Sequence, residues 1–73
     1  MAKEKVKLPL APLERILRKS GAKRVSKRAV REFSAVLADY AFDISGEAAK
    51  LATHAGRKTI VEADVRMARK RLA

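Results

Sequence analysis

Cysteine and tryptophan are absent from this 73-residue sequence, and His54 is its only histidine. Disulfide bonds are therefore excluded, and one histidine without cysteine partners does not form a tetrahedral zinc site. A chain of this length makes one domain at most and buries only about 60% of the surface that its unfolded form exposes. We expect association between chains to supply the missing stability, and we expect neither a metal nor a cofactor.

Long apolar runs and catalytic groupings are also lacking. No apolar run approaches the roughly 18 residues of a membrane span, and no signal-type apolar stretch follows the first residues, so we expect no membrane association. Acids and bases are present without a nucleophile, a metal cluster or a glycine-rich phosphate loop, which predicts that the chain is not an enzyme. Phe33, Tyr40 and Phe42 are the only aromatic residues. Two of them fall in or beside the predicted core, which disfavours a stacking surface for single-stranded RNA.

Positive charge is what the sequence has in excess. Eighteen lysines and arginines stand against eight acids, for a net charge of +10. The signs are segregated along the chain: residues 15–31 hold eight bases and no acid, whereas residues 32–49 hold four acids and no base. Basic residues return at 57–58 and at 66–71. A small domain that groups its positive charge in this way is expected to bind a polyanion.

Three helices are predicted from the spacing of apolar residues and from the turn residues. The first begins at about Pro12, because proline suits a first turn, and it stops at Gly21. The second begins after Ser26 as N-cap and continues to Gly56. A capping-box pattern, Thr-Ile-Val-Glu at residues 59–62, opens the third.

The length of the second helix predicts a dimer. Nearly thirty residues correspond to about 44 Å, and each short helix covers roughly a third of that length. One chain therefore cannot cover its own apolar stripe. Two chains that cross their long helices solve this problem, and their folding and association then form one equilibrium.

Several stretches of the sequence are similar to archaeal histones. They are residues 8–12 (LPLAP), 15–16 (RI), 21–26 (GAKRVS) and, most specifically, 52–60 (ATHAGRKTI) with Asp64 following. The resemblance extends over residues 8 to 72. It implies an all-α histone fold of short, long and short helices in residues 8–73, forming an intertwined homodimer, with residues 1–7 as a short basic arm. It also implies a protein of the cytoplasm, located on the chromosome, that wraps double-stranded DNA largely without sequence specificity.

The resemblance further implies which residues meet DNA. Arg24 is expected to enter the minor groove with its guanidinium held by the Thr59 hydroxyl, and Arg15 to approach a third groove at the dimer centre. Three such grooves imply about 30 bp per dimer. The expected DNA-binding residues are Arg15, Arg18, Lys19, Lys23, Arg24, Ser26, Lys58 and Thr59.

The remaining implied residues concern assembly. Dimers are expected to meet through Leu51, His54 and Asp64, and Asp64 is also expected to pair with Arg57 inside its own chain. Gly21, Asp39 and Lys70 are the residues expected where turns of a superhelix stack, a region in which Arg66 has no evident partner. Phe42 falls on the polar side of the long helix, where its role is open.

Other interpretations stay open at this point. Lys27, Arg28 and Arg31 are as easily solvated as bound to DNA. Arg69, Lys70 and Arg71 are more simply explained as offsetting the dipole of the third helix, and His54 on composition alone is a packing residue. The alternative function is that of a histone-fold subunit of a transcription-factor complex, and a sister histone is an alternative partner.

Overall fold

A computed structural model of the protein describes residues 7–73. It contains α1 (Leu10–Lys19), α2 (Lys27–His54) and α3 (Glu62–Leu72) and, within that range, no strand. The short, long and short order predicted from the sequence is confirmed. No helix in the described range is long and apolar enough to cross a membrane. Of the predicted arm, residues 1–6 lie outside the described range, and Lys7 is exposed.

The chain divides into two compact units, Met1–Asp39 and Tyr40–Ala73, called here the N-terminal and C-terminal units. The N-terminal unit contains α1, the loop that follows it and the first half of α2. The C-terminal unit contains the second half of α2, the second loop and α3.

Helix α1 begins at Leu10, two residues earlier than predicted. Pro9 is its N-cap, so Pro12 occupies the third position of the first turn. Proline is tolerated there because the first N–H groups of a helix have no intrahelical acceptor. The helix ends as predicted: the amide of Gly21 donates to the carbonyl of Arg18 at 3.1 Å, and Gly21 has a φ of +118°.

Ser26 caps the start of α2, as its position in the sequence predicts. Its Oγ accepts a hydrogen bond from the amide of Ala29 at 3.0 Å, and its carbonyl accepts the first helical bond from Val30 at 3.1 Å. The helix then continues for 28 residues and passes through Gly46 without a break.

A Schellman motif ends α2. The amide of Arg57 donates to the carbonyl of Ala52 at 2.9 Å, and the amide of Gly56 donates to the carbonyl of Thr53 at 2.9 Å. Gly56 has a φ of +76°, the left-handed conformation that this motif requires. The chain therefore leaves α2 in a fixed direction, with Arg57 as the first residue after the turn.

The predicted start of α3 was wrong. The helix begins at Glu62 with Val61 as N-cap, not with Thr59. Valine has no side-chain oxygen to cap an amide, so only half of a capping box forms: the carboxylate of Asp64 accepts the amide of Val61 at 2.9 Å. Asp64, the third residue of the helix, thus provides the capping contact that the sequence pattern predicts for Thr59.

Each unit has a small buried core. Leu13, Val30 and Ser34 are buried in the N-terminal unit, and three alanines are buried in the C-terminal unit, namely Ala48, Ala52 and Ala68. No large side chain in the described residues is fully buried. The predicted apolar stripe of α2 is only half-buried at Phe33, Leu37 and Ile44 and is exposed at Tyr40.

Large apolar side chains are instead exposed on both units. They are Leu10, Ile16 and Val36 in the N-terminal unit, and Tyr40, Phe42, Ile60, Val61, Val65, Met67 and Leu72 in the C-terminal unit. Exposed apolar surface of this extent is characteristic of an interface. The single chain is therefore left with apolar faces that its own helices do not cover.

Candidate nucleic-acid interface

The N-terminal unit carries many exposed basic side chains. All eight bases of residues 15–31 are exposed: Arg15, Arg18, Lys19, Lys23, Arg24, Lys27, Arg28 and Arg31. Three lie on α1, two in the loop and three in the first turns of α2. Exposed guanidinium and ammonium groups without intervening acids suit the phosphates of a nucleic acid.

The first loop is fixed at both ends. Gly21 closes α1 in a left-handed conformation, and Ser26 caps α2. Between these two points Lys23 and Arg24 are exposed. The Ser26 oxygen accepts the Ala29 amide, which leaves its hydroxyl hydrogen able to donate to a phosphate.

Helix α2 begins with positive charge at its positive end. Lys27 and Arg28 are its first two residues, and no acid occupies its first turn. The helix dipole makes cations unfavourable in that place and anions favourable. These cations destabilise the isolated helix, and an anion that approaches the first amides of the helix offsets this destabilisation.

The second loop is held by a partly buried ion pair. Arg57 Nη1 donates to Asp64 Oδ2 at 2.8 Å, and Arg57 Nη2 donates to Asp64 Oδ1 at 2.9 Å. The Asp64 side chain is 6% exposed. Its hydrogen bonds with Arg57 and, next in importance, with the amide of Val61 lower its pKa to about 2. The hydrogen bond with Asp64 also raises the pKa of Arg57.

This ion pair shapes the loop between α2 and α3. Arg57 Nη1 also donates to the carbonyl of Thr59 at 3.0 Å. The Schellman turn directs Arg57 toward α3, and Arg57 then fixes the backbone at Thr59. Lys58 and Thr59 are left exposed at the tip of the loop, on a backbone that does not depend on their side chains.

Three further ion pairs were not foreseen from the sequence. Arg18 pairs with Glu14 at 2.9 Å, Arg66 with Glu62 at 2.7 Å, and Arg71 with Glu47 at 3.0 Å. The first two have the spacing of i and i+4 on a helix, a signal that was available in the sequence. Glu62 is thus the partner that Arg66 was expected to lack. The third joins residues 24 positions apart, for which no local pattern exists.

The residues expected between dimers have different exposures. His54, the last residue of α2, is exposed, and Leu51 is half-buried. His54 adjoins an open groove that Ala49, Lys50 and Thr53 also line. Asp64 is buried, and its carboxylate accepts three hydrogen bonds within its own chain. A carboxylate has about four acceptor sites, so one site is left.

The other expected site residues occupy exposed positions. Gly21 lies in the first loop, Asp39 on α2 and Lys70 on α3. Phe42 is 38% exposed. Residues 7–73 hold no group of three or more histidine, cysteine or acidic side chains that could bind a metal ion.

An exposed basic surface and uncovered apolar faces on a three-helix chain are typical of a small protein that binds a polyanion and associates with a further chain. The family described as "Histone-like transcription factor (CBF/NF-Y) and archaeal histone" matches residues 6–68. The chain belongs to this family, which confirms the histone fold and the resemblance to archaeal histones. It is a DNA-binding chromatin protein rather than an enzyme.

Two relatives share much of the sequence. The chain is 46% identical over 61 residues to one subunit of the archaeal histone HAN1 of Thermococcus zilligii. It has the same identity over the same length to "Probable archaeal histone 3" of Methanocaldococcus jannaschii. Each comparison covers 84% of this chain and 91% of the relative.

Proposed function

We propose that this protein wraps double-stranded DNA as a homodimer and contacts the DNA backbone rather than its sequence. The observation that carries the proposal is the exposed basic surface of the N-terminal unit, where residues 15–31 present eight cations and no acid. Bound chains would compact the chromosome into nucleosome-like or extended superhelical assemblies. The proposed location is the chromosome within the cytoplasm.

Uncovered apolar faces support the homodimer. Exposed residues such as Ile16, Val36 and Tyr40 leave the single chain with apolar surface in water. A second copy is the simplest partner, because a two-fold interface covers the same surface on both chains. A sister histone with a similar α2 is the alternative partner for the same apolar surface.

The two loops are the proposed points of contact with DNA. Arg24 enters the minor groove, where a guanidinium loses its hydration cheaply and meets concentrated negative potential. Thr59 from the paired chain holds it, and Lys58 contacts a phosphate. Arg15 serves a third approach at the dimer centre, and about 30 bp are bound per dimer. Lys19, Lys23 and Ser26 add backbone contacts, and Arg18 adds another when it is released from its ion pair with Glu14.

Longer assemblies would form through the end of α2. The exposed His54 of one dimer donates to the remaining acceptor site of Asp64 in the next, and Leu51 packs beside it. Where superhelical turns approach each other, Gly21, Asp39 and Lys70 are the proposed residues of contact.

A transcription-factor subunit is the second candidate, because the matched family includes such proteins by description. A subunit of that kind requires a different chain as partner. Size-exclusion chromatography of the purified protein distinguishes the two: a folded homodimer supports the histone, and a chain that folds only with another protein supports the alternative.

Salt dependence tests the mode of DNA binding. If phosphate contacts dominate, the logarithm of the association constant falls linearly with the logarithm of the salt concentration, by about 0.9 per phosphate neutralised. Unrelated duplexes of equal length then bind with similar affinity, apart from small differences in the cost of bending. Strong preference for one short motif that survives high salt would rule out wrapping.

A further inference from the structure

Helix α1 carries one acid among its bases. Its sequence, LAPLERILRK, holds Glu14 together with Arg15, Arg18 and Lys19. Glu14 therefore lowers the net charge of α1 from +3 to +2. A surface built only for affinity has no use for a carboxylate in this position, since it repels the phosphates that the neighbouring cations attract.

Glu14 is paired with one of these cations. Arg18 Nε donates to Glu14 Oε2 at 3.1 Å, and Arg18 Nη2 lies 2.9 Å from the same oxygen. The contact thus engages the Nε–Nη2 edge of the guanidinium and neutralises its charge. A phosphate binds a guanidinium through paired N–H donors of this kind, and the positive charge that attracts it is offset by the carboxylate. Carboxylate and phosphate therefore compete for Arg18.

Stability alone is a weak explanation for this pair. The side chains of Arg18 and Glu14 are 53% and 43% exposed, and exposed pairs contribute little to folding. Arg66 and Glu62 on α3 form a pair of the same spacing, with side chains 68% and 81% exposed. The difference between them is location: Glu14 lies within the basic surface of the N-terminal unit, whereas Glu62 lies outside it.

We propose that Glu14 limits the DNA affinity of the protein by holding Arg18 in an ion pair and withholding it from phosphate. This inference rests on the proposed DNA binding and adds a residue that sets its strength. Arg18 contributes to binding only when Glu14 is neutralised or removed. The effect is doubled in a homodimer, where two such pairs are present.

The test compares Glu14→Gln with the wild-type protein by fluorescence anisotropy on a 30-bp duplex over a range of salt concentrations. Glutamine keeps the length of the side chain and its helix propensity and removes the charge. If Arg18 is released to phosphate, the salt slope steepens by about 0.9 per chain, or about 1.8 per dimer. Near 0.1 M salt the affinity of the dimer rises by up to about sixtyfold, since each of its two released cations adds at most roughly 0.9 to log K there.

Two further variants make the result specific. Glu14→Gln with Arg18→Ala should return the slope to the wild-type value, because the released cation is gone. Glu62→Gln removes the same charge from the matched pair on α3 and should change affinity less than about twofold. Helicity and thermal midpoint, measured by circular dichroism, establish that each variant is folded.

The outcomes separate this inference from the proposed function. A wild-type protein that does not bind duplex DNA in a salt-dependent manner overturns both. Normal wild-type binding overturns the inference alone if Glu14→Gln leaves the slope unchanged, if the double variant keeps the steeper slope, or if Glu62→Gln has an equal effect.

Discussion

The two units of the molecule use their charged residues differently. In the described part of the N-terminal unit nine bases stand against three acids, and Arg18 is paired with Glu14 on its own helix. In the C-terminal unit seven bases stand against four acids, and three of its arginines, Arg57, Arg66 and Arg71, are paired with acids. Three arginines of the C-terminal unit are thus held by acids of the same unit. The eight bases of residues 15–31 in the N-terminal unit are all exposed.

The consequence is that similar side chains should respond differently to substitution in the two units. Loss of the buried Asp64 charge in the C-terminal unit is expected to reduce stability. Loss of an exposed positive charge from the first loop of the N-terminal unit is expected to reduce DNA binding and to leave stability nearly unchanged.

The largest effect is expected at Asp64. Its pKa of about 2 lies below the 3.8 of an ordinary aspartate, so protonation favours the unfolded chain. The stabilisation is complete above about pH 4 and is lost as the pH falls through about 2. Asp64→Asn should therefore lower the thermal midpoint by several degrees at pH 7, and the difference from wild type should narrow between pH 4 and pH 2. Thermal denaturation followed by circular dichroism over this pH range measures both effects.

Glu62→Gln is the control for that experiment, since its carboxylate is exposed and paired with Arg66 in the same helix. It should shift the midpoint by a small fraction of the Asp64→Asn effect. A difference between Asp64→Asn and wild type that stays constant down to pH 2 would show that the ionised carboxylate is not what stabilises the loop.

A smaller effect, on binding rather than stability, is expected at Arg24. Arg24→Ala should flatten the salt slope by about 1.8 per dimer, because one cation per chain is lost, and near 0.1 M salt it should weaken binding to a 30-bp duplex by up to about sixtyfold. The thermal midpoint should stay near the wild-type value, since the side chain is exposed.

Lys27→Ala, at the exposed start of α2, is the matched loss of charge and should have less than a threefold effect. Equal effects of the two substitutions would mean that the surface acts as diffuse charge and that Arg24 has no place in the minor groove.

The smallest effect on affinity is expected at His54, which is exposed and has a proposed role only between dimers. His54→Ala should keep the dimer and its affinity for a short duplex, because a single dimer fills that duplex. On long DNA, nuclease digestion of the wild-type complex should leave fragments that step by about 30 bp, and the variant should leave a shortened ladder or none. A ladder unchanged in His54→Ala would mean that dimers line up because neighbouring DNA sites are filled, with no contact through this side chain.

The fold was accessible from the sequence because its signals are local. Helix order, the stop at Gly21 and the cap at Ser26 depend on residues within a few positions of one another, and all three were predicted correctly. The start of α3 was missed because two capping patterns overlap there. Asp64 accepts the amide of Val61 and is also paired with Arg57, so the pattern that starts at Val61 is the one that forms.

The candidate site was only partly predictable from the sequence. Its cations could be located because charge segregation is visible in the sequence. Their partners could not all be found: Glu47 reaches Arg71 across 24 positions, and such a contact depends on how α3 packs on α2. The helical pairs of Glu14 and Glu62 have a recognisable spacing, but spacing does not tell which surface cations are held by an acid and which remain available.

The left-handed conformation of Gly56 determines which residues are tolerated at the end of α2. A Cβ at this position would meet no atom within 4 Å, so only the φ of +76° favours glycine there. The cost of another residue is therefore set by its own backbone preference: asparagine enters the left-handed region readily, whereas a β-branched residue does not. The direction in which the loop of Lys58 and Thr59 leaves α2 thus depends on the backbone preference of the residue at position 56, and the hydrogen bonds of Arg57 then hold the loop in that direction.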